Sequence, residues 1–142
     1  MSKLSFEAVV MKGFKEIDAF FSAFFDEFSE AYGLSSVQIK AIMEVKLNKA
    51  ISMKDLCGKL EMSKSNLSPI CKKLEGAKFL KKTRDYHDQR IVNLELTEKG
   101  EEVVDAIRKR LEEKLEPVFC NLTDDEKNKV LESVSIILEK LK

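Results

Sequence analysis

The stretch SMKDLCGKLEMSKSNLSPICKKLEGAKFLKKTRDYHDQRIVNLELTEKG, residues 52–100, decides the fold. It opens on Ser52, whose hydroxyl suits a helix cap, and runs as a short helix to about Leu60. Glu61 and Met62 turn the chain, and Ser63 caps a second helix. That helix carries Lys64, Ser65, Asn66, Ser68, Lys72 and Lys73 on one side and Leu67, Ile70, Cys71 and Leu74 on the other. Pro69 removes a hydrogen bond inside it, so the helix is expected to bend there, or else to start afresh with Ser68 as cap. After Gly76, residues 79–84 and 91–96 read as two strands of an antiparallel hairpin, with Val92, Leu94 and Leu96 on its buried face. A short helix, a tight turn and a second helix rich in Ser, Asn and Lys is an arrangement that sets small polar side chains in a DNA major groove. The hairpin adds a basic tip that reaches toward a neighbouring groove.

Long amphipathic helices flank this segment. Apolar residues at 6, 9, 10, 14, 17, 20, 21, 24, 25 and 28, seven of the nine Phe among them, recur at steps of three and four and form one face. Gly33 ends that helix, and Ser35 with Gln38 forms a capping box for the next. The next helix runs to about Leu47, with Ile39, Ile42, Met43 and Leu47 expected inside. Thr97 caps a fifth helix with Val103, Val104, Ile107, Leu111, Leu115, Val118 and Phe119 on one face, and Pro117 and Asn121 mark its expected end. Thr123 with Glu126 forms a second capping box, opening a last helix with Val130, Leu131, Val134, Ile137, Leu138 and Leu141 aligned. The chain therefore reads as mainly α with a small β-hairpin. No internal repeat, low-complexity segment or flexible linker interrupts it.

A chain of 142 residues suffices for one domain with a real core. Its formal net charge is zero, but the distribution is uneven. Residues 53–90 hold ten Lys/Arg against five Asp/Glu, while residues 91–142 hold nine against thirteen. The positive field thus sits on the helix-turn-helix segment, where it would draw a polyanion to one face. Cys57, Cys71 and Cys120 are odd in number and lack C-x-x-C spacing, which argues against a disulfide framework and for a reducing cytoplasm. The sequence opens without a signal-peptide pattern, and charges break the Phe-rich helix too often for a membrane span. The lone His87 has no second ligand for a metal, and no nucleophile–base set or phosphate-binding glycine loop marks an enzyme or a cofactor site.

The order of helices and the run DQRIVNLELTEKG resemble the MarR family of winged-helix transcriptional regulators. Asp88, Arg90, Leu94, Leu96, Thr97 and Gly100 stand at the spacing of that family's hairpin signature, and Leu74-Glu75 before a small-residue turn matches its exit from the recognition helix. The resemblance implies a winged helix-turn-helix lobe at residues 34–100 and N- and C-terminal dimerisation helices at 1–33 and 101–142, all in one domain. It implies a repressor that binds double-stranded DNA at a pseudo-palindromic operator as a homodimer. Arg90 would enter the minor groove, steadied by Asp88. Lys64, Ser65, Asn66 and Ser68 would face bases and phosphates in the major groove, and Lys72, Lys73, Lys82 and Arg84 would mostly meet backbone phosphates. His87, at the loop tip, reads as a phosphate or solvent contact. The recognition helix has no arginine, so bidentate guanine contacts are unavailable from it and Asn66 is left to read an adenine. In that family small aromatic or anionic ligands bind between the dimerisation helices and the lobe and release the DNA. Two other readings stay open: a thiol-based redox regulator, with Cys120 the least constrained thiol, and a winged-helix module that binds proteins and not DNA.

Overall fold

A computed structural model describes residues 5–142. Residues 1–4, which begin both the 1–33 segment and the stretch read for a leader, lie outside the described residues. Helix α1 spans Phe6–Tyr32, α2 Ser36–Asn48, strand β1 Ala50–Ser52, α3 Met53–Leu60 and α4 Lys64–Gly76. Strands β2 Leu80–Arg84 and β3 Val92–Leu96 follow, then α5 Glu98–Phe119 and α6 Asp124–Lys140. The chain separates into two compact units, one up to Asp105 and one from Ala106 to Lys142.

Local sequence explains most of the boundaries. Gly33 closes α1 in the left-handed conformation, φ 65°, a region open to glycine without a Cβ penalty. Both capping boxes form: Ser35 with Gln38 at α2, and Thr123 with Glu126 at α6. The Thr97 hydroxyl accepts the Gly100 N–H at 3.1 Å and so caps α5. Pro117 does not stop α5, which continues to Phe119 and closes with Cys120 N–H donating to the Glu116 carbonyl.

The core of the first unit lies under the helix-turn-helix. Phe24 and Phe28 of α1, Ile39, Ala41, Ile42 and Val45 of α2, and Leu56 of α3 are all buried. Each of these side chains larger than alanine contributes about 1.5–3 kcal/mol by leaving water. Leu47, expected inside, is instead 78% exposed, and Val45 takes its place. At roughly 100° per residue, the buried arc of α2 is centred between Ala41 and Ile42, and Leu47 falls beyond its edge.

The hairpin is joined by a strand the sequence did not disclose. The sheet order is β1-β3-β2, antiparallel throughout, with Ile51 opposite Leu94 and Leu80 opposite Leu96. Three residues between two helices are too few to show alternation. Leu94 and Leu96 are buried as the alternation required, whereas Val92, paired with Arg84 beside the connecting loop, is exposed.

Gly100 is fixed by a close approach. A Cβ there would lie 2.3 Å from the Phe79 carbonyl oxygen and 3.2 Å from Leu96 Cδ2. That carbonyl also accepts the Thr97 N–H at 3.1 Å, so the start of α5 is seated directly on the entry to β2. In the second unit, α6 buries none of its residues, and Val130, Leu131, Val134, Ile137 and Leu138 stand exposed along it.

Candidate nucleic-acid interface

The turn between α3 and α4 is built by backbone closure. Glu61 adopts a left-handed conformation, φ 52°, and the Met62 N–H reaches back to the Cys57 carbonyl at 3.0 Å. Ser63 then caps α4, its hydroxyl accepting the Asn66 N–H at 3.3 Å. The helix runs unbroken through Pro69, so the alternative start at Ser68 is not taken. Leu67, Cys71 and Leu74 are buried, and Ile70 only partly so. This seating turns Lys64, Ser65, Asn66, Lys72 and Lys73 out to solvent, with Ser68 half-buried beside them. Pro69 is exposed on the same outward side, a position the sequence reading had treated only as a break in the helix.

The wing loop between β2 and β3 is held by its own polar groups. Asp85 Oδ1 accepts the His87 N–H at 2.8 Å and the Asp88 N–H at 3.0 Å. The Asp85 N–H donates to the Ile91 carbonyl at 2.9 Å, and the Ile91 N–H to the Asp88 carbonyl at 3.0 Å. The Arg84 guanidinium donates to the Gln89 carbonyl at 2.7 Å, drawing the two sides of the loop together. These N–H groups stabilise the charged carboxylate, so Asp85 ionises below the ordinary aspartate range, the Asp88 N–H contributing most.

Arg90 is presented by Asp88 through a two-pronged contact. Its Nε donates to Asp88 Oδ1 and its Nη2 to Oδ2, both at 3.0 Å, and its backbone N–H also reaches Oδ1 at 3.0 Å. The side-chain bonds from Arg90 hold the Asp88 carboxyl below its usual range, and the same contact raises the arginine. The Arg90 side chain remains 91% exposed. It is thus oriented yet open, the condition for meeting a phosphate-lined groove without first losing side-chain freedom.

The basic side chains divide into two sets. Lys82 Nζ lies 3.6 Å from Glu75 Oε1, a carboxylate oxygen shielded from solvent and reached by no hydrogen bond. Lys82 therefore bridges strand β2 to the end of α4, and Arg84 is engaged on Gln89. Lys64, Lys72 and Lys73 extend from the outward face of α4. His87 is exposed, its ring edge-on to Tyr86 at 5.3 Å between centroids.

The thiols differ in setting. Cys71 is buried, Cys57 half-buried and Cys120 exposed. Burial, helped by the nearby Glu75, pushes the Cys71 thiol up to about 11. No three His, Cys, Asp or Glu side chains gather to suit a metal among the described residues. No helix among them is long and apolar enough to cross a membrane.

A capped helix-turn-helix set against a three-stranded sheet with a projecting loop defines a winged-helix protein. The model of the SarA/Rot transcriptional regulator family matches residues 23–107, more than half of the chain, and the chain belongs to that family. The HTH-type transcriptional regulator SarZ of Staphylococcus epidermidis is 24% identical over 118 residues, spanning 82% of this chain and 77% of SarZ. A MarR family protein from Bacillus stearothermophilus superposes with a TM-score of 0.81 at 19% identity, over 94% of each chain. An S. aureus MepR mutant bound to an oligodeoxyribonucleotide superposes with a TM-score of 0.65 at 18% identity, over 94% of this chain and 98% of MepR. The chain is a transcriptional regulator with the MarR-type winged-helix fold, as the residues at 88–100 had implied.

Proposed function

We propose that this regulator acts in the cytoplasm as a homodimeric repressor, gripping a pseudo-palindromic operator with α4 in the major groove and Arg90 in the adjacent minor groove. The observation that carries the reading is the pairing of an exposed polar face on α4 with an arginine oriented by Asp88 and still open to solvent. Lys64, Ser65, Asn66 and Ser68 face the bases and nearby phosphates, and Lys72, Lys73 and His87 meet the backbone. Lys82 and Arg84 act mainly by holding the wing. Binding by the MepR mutant to an oligodeoxyribonucleotide supports this use of the fold.

The dimer is supported by apolar surface with no cover. Phe6, Val9, Phe14 and Ile17 along the first half of α1 are exposed, and so is the row along α6. Two rows of that size in one soluble chain favour a subunit interface. An effector of the small aromatic or anionic kind has a hollow to occupy, of ≈ 390 Å³, lined by Ala31, Tyr32, Phe79, Lys99, Glu102 and Val103. Two aromatic side chains and a lysine in its wall suit a small aromatic acid.

A gel shift on the region upstream of the protein's own coding sequence, with excess competitor DNA, tests the DNA reading. A specific shifted band is expected, and equal loss of the band to any competitor overturns it. Sedimentation tests the dimer: a monomer at micromolar concentration overturns that part.

A further inference from the structure

Tyr86 is 92% exposed, more than any other large apolar side chain among the described residues. It sits in the loop that presents Arg90, between Asp85 and His87. Its ring meets that of His87 edge-on, with 5.3 Å between centroids. The backbone on both sides of it is tied: Asp85 Oδ1 takes the N–H groups of His87 and Asp88, Asp85 N–H and Ile91 N–H close the loop, and Arg84 spans to Gln89. An aromatic ring so exposed, on a loop braced by five hydrogen bonds, contributes little to packing within the protein beyond its edge contact with His87. It does have low conformational freedom, and a ring with two rotatable angles on an ordered loop loses little entropy when it meets a surface.

We infer that Tyr86 is a second DNA contact of the wing, laying its ring against the sugar and base edges of the groove that Arg90 enters. The inference rests on the DNA-binding reading above and deepens it. Arg90 supplies charge; Tyr86 supplies an apolar face with a hydroxyl that reaches a phosphate or base-edge acceptor. The two contacts differ in physical signature. A guanidinium on a phosphate-lined groove releases counterions, so its loss flattens the dependence of affinity on salt. A ring packed on sugars and base edges releases none, so its loss lowers affinity and leaves the salt slope alone.

Binding of the full chain to a duplex from upstream of its own coding sequence is measured by fluorescence anisotropy across a salt series. Tyr86→Ala is expected to weaken binding roughly five- to tenfold, toward the lower end of an aromatic–base contact, with an unchanged salt slope. Tyr86→Phe retains most of the affinity. The chain has two tyrosines, Tyr32 and Tyr86, so protein grown with meta-fluorotyrosine gives two fluorine resonances, assigned by their loss in the Phe variants. The Tyr86 resonance shifts or broadens on adding the duplex, by more than that of Tyr32. Native affinity in Tyr86→Ala, or a Tyr86 resonance unmoved at saturation, overturns the inference while leaving Arg90 and the DNA reading in place. A native protein that binds no duplex specifically overturns the DNA reading itself, and this contact with it.

Discussion

Gly100→Ala sets two effects of opposite sign against each other. Gly100 lies in the first turn of α5, where helix propensity alone favours alanine by about 1 kcal/mol. The new Cβ, however, would stand 2.3 Å from the Phe79 carbonyl oxygen, about 1 Å inside ordinary contact. Neither partner yields cheaply. The Phe79 carbonyl holds the Thr97 N–H, the Thr97 hydroxyl is bonded to the Lys78 carbonyl, and Lys99 Nζ is bonded to the Ala77 carbonyl at 2.9 Å. Displacing α5 strains this set, at about 1–3 kcal/mol for overpacking and about 1 kcal/mol for each hydrogen bond lost. The clash outweighs the propensity, for a net destabilisation of about 1–3 kcal/mol. Gly58, inside α3 with open space around its missing Cβ, is the control: Gly58→Ala should stabilise by about 0.5–1 kcal/mol. Urea midpoints at one fixed protomer concentration, with the slope checked for constancy, read both changes. A Gly100→Ala midpoint at or above the native one would refute the close-approach argument.

Three further outcomes follow from the site. Arg90→Ala should weaken binding to the upstream duplex roughly 5- to 150-fold by anisotropy, and unchanged affinity would remove the wing arginine from the interface. Lys72→Ala should weaken binding to all sequences alike and flatten the salt slope by about one, whereas Lys82→Ala, whose charge already faces Glu75, should leave the slope unchanged. Alkylation followed by peptide mass mapping at pH 8 should label Cys120 first and spare Cys71; equal rates would contradict the burial of Cys71. The native Cys71 thiol keeps its proton to about 11, while the unfolded chain releases it near the ordinary value of about 8.5. Its contribution to stability is therefore complete below that lower value and declines as pH rises toward the upper one.

The elements most legible in the sequence are those with local causes. Ser35 with Gln38, Ser63, Thr97, and Thr123 with Glu126 announce helix starts because capping is settled within four residues. The Leu94–Leu96 alternation and the Asp88–Arg90 spacing locate the wing for the same reason, since strand alternation and a two-residue ion pair are both short-range. Leu47 and β1 were harder to place. Which face of α2 is covered depends on where its neighbours lie, which leaves Leu47 outside the buried arc, and three residues acquire strand character only when β3 lies beside them.

The candidate site shows the same division. Which residues are polar and basic on α4, and that Arg90 follows Asp88 by two, is written in the order of the residues. That Lys82 faces Glu75, that Arg84 closes on Gln89 and that Tyr86 is left in water depends on strand register and loop closure. Sequence by itself determined the family, the helix starts and the basic wing, because those depend on neighbours along the chain. Tertiary structure alone decided which cations are engaged within the protein and which remain open, because a charge is matched by groups near it in space and not in sequence.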